Sequence, residues 1–192
     1  MEFCQFLYFF LLENIKIPSL GEDTFFLYID DMKVITLGDE LLRQKAKKID
    51  KIDDGIVDTA RQMLEILKRD KGVGVAGPQV GILKRIFVTH VEGDDERVFI
   101  NPSILETSHT TSKFEEGCLS VPGVYANVIR SESIKVQAWN IKGRPFTLET
   151  SGLLARVILH EYDHLEGVLF LDHVPEKKRE KLIEKYEKNL NK

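Results

Sequence analysis

Two histidines, His160 and His164, stand four positions apart, and a glutamate, Glu161, directly follows the first. Four residues advance a helix by about 400°, which puts both imidazoles on one face, one turn apart. So placed, they can hold a single metal ion, with Glu161 beside it to handle a proton. A catalytic site of this type takes three protein ligands and keeps a fourth position for water, so the pair is one ligand short. A third histidine six residues after His164 would complete it, but that position is Phe170. The glutamates of the tail, from Glu176 onward, sit among lysines and read as solvated. The missing ligand therefore comes from upstream, where Cys118 in Glu116-Gly117-Cys118-Leu119-Ser120 offers a soft thiolate.

These groups need elements to place them. Leu153, Leu154, Val157, Ile158 and Leu165 predict a helix over residues 152–166 that buries one side and stops at Gly167. A second helix is predicted from Asp53 or Asp54 to Asp70, with Ile56, Ala60, Met63, Leu64 and Leu67 at helical spacing. Residues 39–50 carry a weaker helical pattern. Residues 85–91 and 97–100 read as strands joined by a turn, the second ended by Asn101-Pro102. Further strands are expected over 131–139 and 146–149. His90, inside the first strand, reads as structural, and His109 as a surface residue. Residues 72–81 hold four glycines and a proline, too irregular for the interior of an element. No Lys-Ser/Thr follows, so this is not a phosphate loop. The stretch lets a peptide-like ligand approach the main chain, with the Gln79 amide nearby as a donor.

The totals narrow the class. A chain of 192 residues suits one domain with a sizeable core, and 43% hydrophobic with 30% charged residues is a soluble globular composition. A net charge of −4 argues against direct nucleic-acid recognition. Two distant cysteines, Cys4 and Cys118, make no disulfide framework and fit a reducing, cytoplasmic setting. The apolar run at residues 6–12 is too short to span a bilayer, so no membrane role is expected. Residues 1–31 read as an appendage or an upstream mis-start, with a membrane tether as the alternative. Residues 32–174 are expected to form the main domain, and 175–192 a basic helical tail with seven basic and four acidic residues.

Taken together and in order, the glycine-rich stretch ending in Pro78-Gln79, then Glu116-Gly117-Cys118-Leu119-Ser120, then His160-Glu161-Tyr162-Asp163-His164 resemble peptide deformylase. The resemblance runs from about Met32 to Val174. It implies an α+β fold, with antiparallel strands wrapped around a central metal-binding helix and a C-terminal helix. It implies removal of the formyl group from the N-terminal formylmethionine of nascent polypeptides, releasing formate. Water at the metal would attack the formyl carbon, with Glu161 as base and then acid. The ligands would be Cys118, His160 and His164, holding one divalent ion: Fe2+ by family habit, with Zn2+, Ni2+ or Co2+ as alternatives. Gly74 and Gln79 match the family's active-site glycine and glutamine, and Leu119 the residue whose N–H faces the substrate carbonyl. Val73, Phe114, Leu153 and Val157 match the slot for the methionine side chain, with Glu116 and Gly117 bordering it and Arg130 in support.

Two departures stand out: Gly77 where the family usually has alanine, which should loosen that loop, and Leu159 where it usually has glutamine. The tail reads as a solvated helix docked by one apolar stripe (Leu182, Ile183, Tyr186 and Leu190), with help in docking on the ribosome as the alternative. A metal-dependent endoprotease and a catalytically silent binding protein remain the other readings of the same residues.

Overall fold

The computed structural model describes residues 32–190; the apolar run at residues 6–12 and the appendage reading of 1–31 lie outside them. Helix α1 (Asp54–Asp70) begins where Asp53 caps it, the carboxylate accepting from the Ile56 N–H. Then come β1 (Gly74–Ala76), β2 (Ile86–Thr89), β3 (Arg97–Thr107), β4 (Thr111–Cys118) and β5 (Val121–Ser131). They are followed by β6 (Ser133–Trp139), β7 (Pro145–Ser151), α2 (Gly152–Leu165) and α3 (Glu176–Leu190). Five strands form one antiparallel sheet in the order β1-β2-β3-β6-β7, and β4 pairs with β5 in a separate two-stranded sheet.

Alternation along the strands sends side chains to both faces of the larger sheet. Ile86 and Val88 meet Met63 and Leu67 of α1 on one face. Ala76, Phe87 and Phe99 meet Ala155, Ile158 and Leu165 of α2 on the other. The β4–β5 hairpin closes over the far side of α2. Its own apolar side, Val121, Val124, Ala126 and Val128, packs on Phe170 and Leu171, which precede α3, and on Tyr186 within it. Helix α2 is thus held between sheet and hairpin, the α+β arrangement expected from the sequence.

Several local expectations need correcting. The weak helical pattern at 39–50 yields only a single 3-10 turn, Glu40–Arg43, because few of its side chains find a core to bury in. Asn101-Pro102 does not end the second strand. Asn101 takes a left-handed conformation (φ 50°), its carboxamide pairs with the main chain of Ile49, and β3 runs on to Thr107 after a register shift. Part of the glycine-rich stretch is regular after all: Gly74–Ala76 is a buried three-residue strand. His90 lies just past β2 and is exposed, not inside the strand. Gly77 does not loosen its loop: a Cβ there would stand 2.7 Å from the carbonyl oxygens of both Ile82 and Lys84. Glycine is what lets the backbone pack this closely.

Candidate active site

α2 carries His160 and His164 on the face turned toward the hairpin, at the helical spacing read from the sequence. Cys118 ends β4, where a shift of register between Gly117 and Cys118 re-aims the thiol. Its Sγ lies 3.3 Å from His164 Nε2. One nitrogen from each imidazole and the sulfur fall within 4.8 Å of one another, and among the described residues no other cluster is suited to holding a metal. The sequence-predicted ligands therefore meet in space.

The donors are prepared for a cation. His160 Nδ1 lies 3.0 Å from Glu116 Oε2, so a proton held there leaves the Nε2 lone pair toward the cluster. Burial, aided by the nearby Arg130 charge, holds the His164 imidazole well below its ordinary pKa, favouring the neutral form that ligates. Burial and the neighbouring Glu161 push the Cys118 thiol up to about 12. A cation reverses that last tendency, because thiolate is what it binds. Two buried polar atoms here have no partner, His164 Nδ1 and Glu161 Oε2. The residues fit a single metal ion.

Glu161 follows His160 on α2 and is nearly sealed from solvent, 3% exposed. Burial pushes its carboxyl well above the usual range, with Arg130 offsetting only part of the effect. Its place depends on Gly74: a Cβ on that residue would run into the Glu161 carboxylate. Gly74 is therefore a floor under Glu161.

Glu116 has the opposite surroundings. Arg130 donates to it from Nε (2.7 Å) and Nη2 (3.0 Å), and Arg156 from Nη1 (2.7 Å). Burial alone would raise its pKa, but the hydrogen bonds from His160 and Arg130 hold the carboxyl well below the ordinary value. Arg130 Nη1 also reaches Asp163 Oδ2 (2.8 Å), which His173 Nε2 approaches at 2.8 Å.

A cleft of about 490 Å³ opens onto these groups. Val73, Phe114, Leu153 and Val157 line it, as do Glu116, Gly117, Leu119 and Gln79. Arg130, grouped with the substrate-binding residues from the sequence, does not line it. Its guanidinium lies behind Glu116, drawn there by two carboxylates, and supports the wall from the inside.

Arg156, which does line the cleft, was not singled out from the sequence. An arginine on the apolar part of a helix, four residues before His160 and hence on the same face, was the available signal. It also donates to the Ser112 and Val128 carbonyls and lies under the Phe114 ring, 5.6 Å from its centroid. Tyr125 and Ser120 were likewise missed. Tyr125 sits against Gly117, where a side chain larger than hydrogen would strike its ring.

The comparisons with known proteins agree with this arrangement. The family model described as polypeptide deformylase matches residues 31–180. A peptide deformylase of Borreliella burgdorferi is 46% identical over 157 residues, 81% of this chain and 94% of that protein. Peptide deformylase 1 of Clostridium perfringens is 52% identical over 136 residues, covering 70% of this chain and 92% of its own. A solved peptide deformylase from Synechococcus elongatus, in complex with actinonin, is similar with a TM-score of 0.78. It is 42% identical, over 83% of this chain and 89% of that one.

Proposed function

Since the chain belongs to the polypeptide deformylase family, we propose how its own residues carry out the family's reaction. It is a hydrolase that removes the N-formyl group from the formylmethionine of newly made polypeptides and releases formate. The observation that carries the residue assignment is the convergence of Cys118, His160 and His164 beside a buried carboxyl that rests on Gly74.

Those three residues hold one divalent ion. When bound, it acts as a Lewis acid, lowering the pKa of a water and polarising the formyl oxygen. Glu161 takes the proton as water adds to the formyl carbon and returns it to the departing amine nitrogen. The Gln79 carboxamide and the Leu119 N–H donate to the formyl oxygen as it gains charge. The methionine side chain occupies the slot of Val73, Phe114, Leu153 and Val157, bordered by Glu116 and Gly117. Behind that wall Arg130 and Arg156 neutralise Glu116, and Glu116 fixes the ring of His160.

A Cys-His-His set accepts several first-row ions and does not itself choose among them; family habit points to Fe2+, with Zn2+, Ni2+ or Co2+ able to substitute. The outer face of α3, in a tail with an excess of three positive charges, approaches the ribosome where nascent chains emerge, in the cytoplasm. No helix among the described residues is long and apolar enough to cross a membrane.

The test is formate release from formyl-Met-Ala-Ser by the metal-loaded protein. Turnover that falls sharply for formyl-Gly-Ala-Ser supports both the reaction and the apolar slot. Cleavage of an N-blocked peptide at an internal bond, without formate release, contradicts it and points to an endoprotease. No turnover of either peptide by protein carrying one metal per chain points to a binding protein.

A further inference from the structure

The carboxamide of Gln79 is fixed more completely than a donor to a substrate oxygen needs to be. Its Oε1 accepts from the Ala76 N–H at 2.7 Å. Its Nε2 has two protons and two partners, each at 3.3 Å: the Oγ of Ser120 and the Sγ of Cys118. A planar amide held at Oε1 and at one N–H has no rotation left, so its second N–H has a set direction. The two Nε2 contacts differ in kind. Ser120 is 0% exposed and its hydroxyl oxygen lies outside the ligand cluster, whereas the Cys118 sulfur belongs to it.

The main chain around both residues is braced by a single short segment, residues 35–37. The Ile35 N–H donates to the Gln79 carbonyl and the Leu37 N–H to the Ser120 carbonyl, both at 2.8 Å. The Leu37 carbonyl accepts in turn from the Tyr186 hydroxyl of α3 at 3.4 Å. Leu37, Cys118 and Tyr186 share one apolar cluster. One strap therefore ties the Gln79 turn to the Cys118 turn and fixes the distance between them.

We propose that Ser120, held by this strap, is a positioning residue. Its hydroxyl pins one proton of the Gln79 amide, so that the other, resting on the Cys118 sulfur, is the one exchanged for the substrate's formyl oxygen. The inference rests on the reading of Gln79 as an oxyanion donor. A donor already aimed at the place where charge develops loses nothing to reorientation during the reaction. A carboxamide released from Ser120 samples other rotamers and is aimed correctly only part of the time.

The experiment uses metal-loaded enzyme throughout, with melting temperature and metal content measured for each variant. Ser120→Ala should lower kcat by about tenfold, the worth of one hydrogen bond, with KM changed less than about twofold. In a Gln79→Leu background the same substitution should have almost no further effect, because its route of action is gone. An equal loss in both backgrounds, or unchanged kcat in Ser120→Ala, overturns the proposal. If instead Gln79→Leu itself turns over at the wild-type rate, it is the oxyanion role of Gln79 that fails.

A measurement on the unaltered enzyme covers the case in which Ser120→Ala does not fold. With glutamine labelled by nitrogen-15 and the Gln79 signal assigned by its absence in Gln79→Leu, added formate should shift one side-chain amide proton and leave the other in place. Equal shifts of both protons, or of neither, contradict the division of labour.

Discussion

Two glutamates face the same cleft, and their surroundings could hardly differ more. Glu116 is surrounded by two guanidiniums and an imidazole and is held ionised. Glu161, on the other side of the ligand cluster, has an oxygen without a partner and a carboxyl pushed upward by burial. Both are nearly inaccessible, so exposure does not separate them; hydrogen bonding does. A carboxylate fully occupied by cations has no reason to exchange a proton and serves as a counter-ion and a brace. One kept buried with a free oxygen is poised to take a proton and give it back.

The largest effect should come from removing the free carboxylate. Glu161→Ala should keep the fold and the metal while turnover drops by about 10²–10⁴-fold, the usual contribution of a positioned proton acceptor. Formate release and metal content together check this. Gln79→Leu removes a donor to the developing charge and should cost about 3–4 kcal/mol in the barrier, read from kcat. Retention of wild-type kcat would remove Gln79 from the chemistry.

Glu116→Gln should act on stability before it acts on chemistry. It leaves Arg130 and Arg156 buried without their shared anion, at a cost of about 3–5 kcal/mol by chemical denaturation. If Glu116→Gln were instead stable and inactive, the contrast between the two glutamates would be wrong. Tyr186→Ala should cost about 3 kcal/mol, since this side chain is 2% exposed and packs beside the hairpin that bears Cys118. Cutting the chain after Val174 is therefore expected to destabilise the catalytic domain as well as to remove a basic surface.

The smallest effect concerns a third carboxylate, outside the lining of the cleft. Asp172 is part-buried, which works to raise its pKa, but the Arg43 guanidinium holds it below the ordinary value. A carboxyl depressed in the folded state stabilises above its unfolded pKa, and that contribution is lost as pH falls through the folded value. Arg43→Ala should therefore flatten the loss of stability below about pH 4 and leave neutral turnover unchanged.

How much of this could be read from the sequence follows the same divide between regular elements and long-range partners. The spacing of His160 and His164 needs only the helix repeat, and α2 begins and ends where its apolar pattern and Gly167 say it should. The third ligand was found because the pair was incomplete. The β4–β5 hairpin was harder. β4 is polar and largely exposed, and its pairing with β5 leaves no local mark. The alternation of Val124, Ala126, Val128 and Arg130 along β5 was visible, but the arginine at its end obscured the pattern. Arg156 and Ser120 escaped because their partners, Glu116 and Gln79, lie 40 and 41 residues away in the chain. Gly77 was misread for a related reason. What makes a glycine necessary there is a pair of carbonyls brought in by the return of the chain.

The central claim is that Glu161 moves the proton while Cys118, His160 and His164 only hold the ion. It is tested most directly by formate release from formyl-Met-Ala-Ser with Glu161→Gln carrying one equivalent of metal. The account predicts a fully loaded, folded protein whose turnover is lost. A loaded Glu161→Gln enzyme working at the wild-type rate would contradict it.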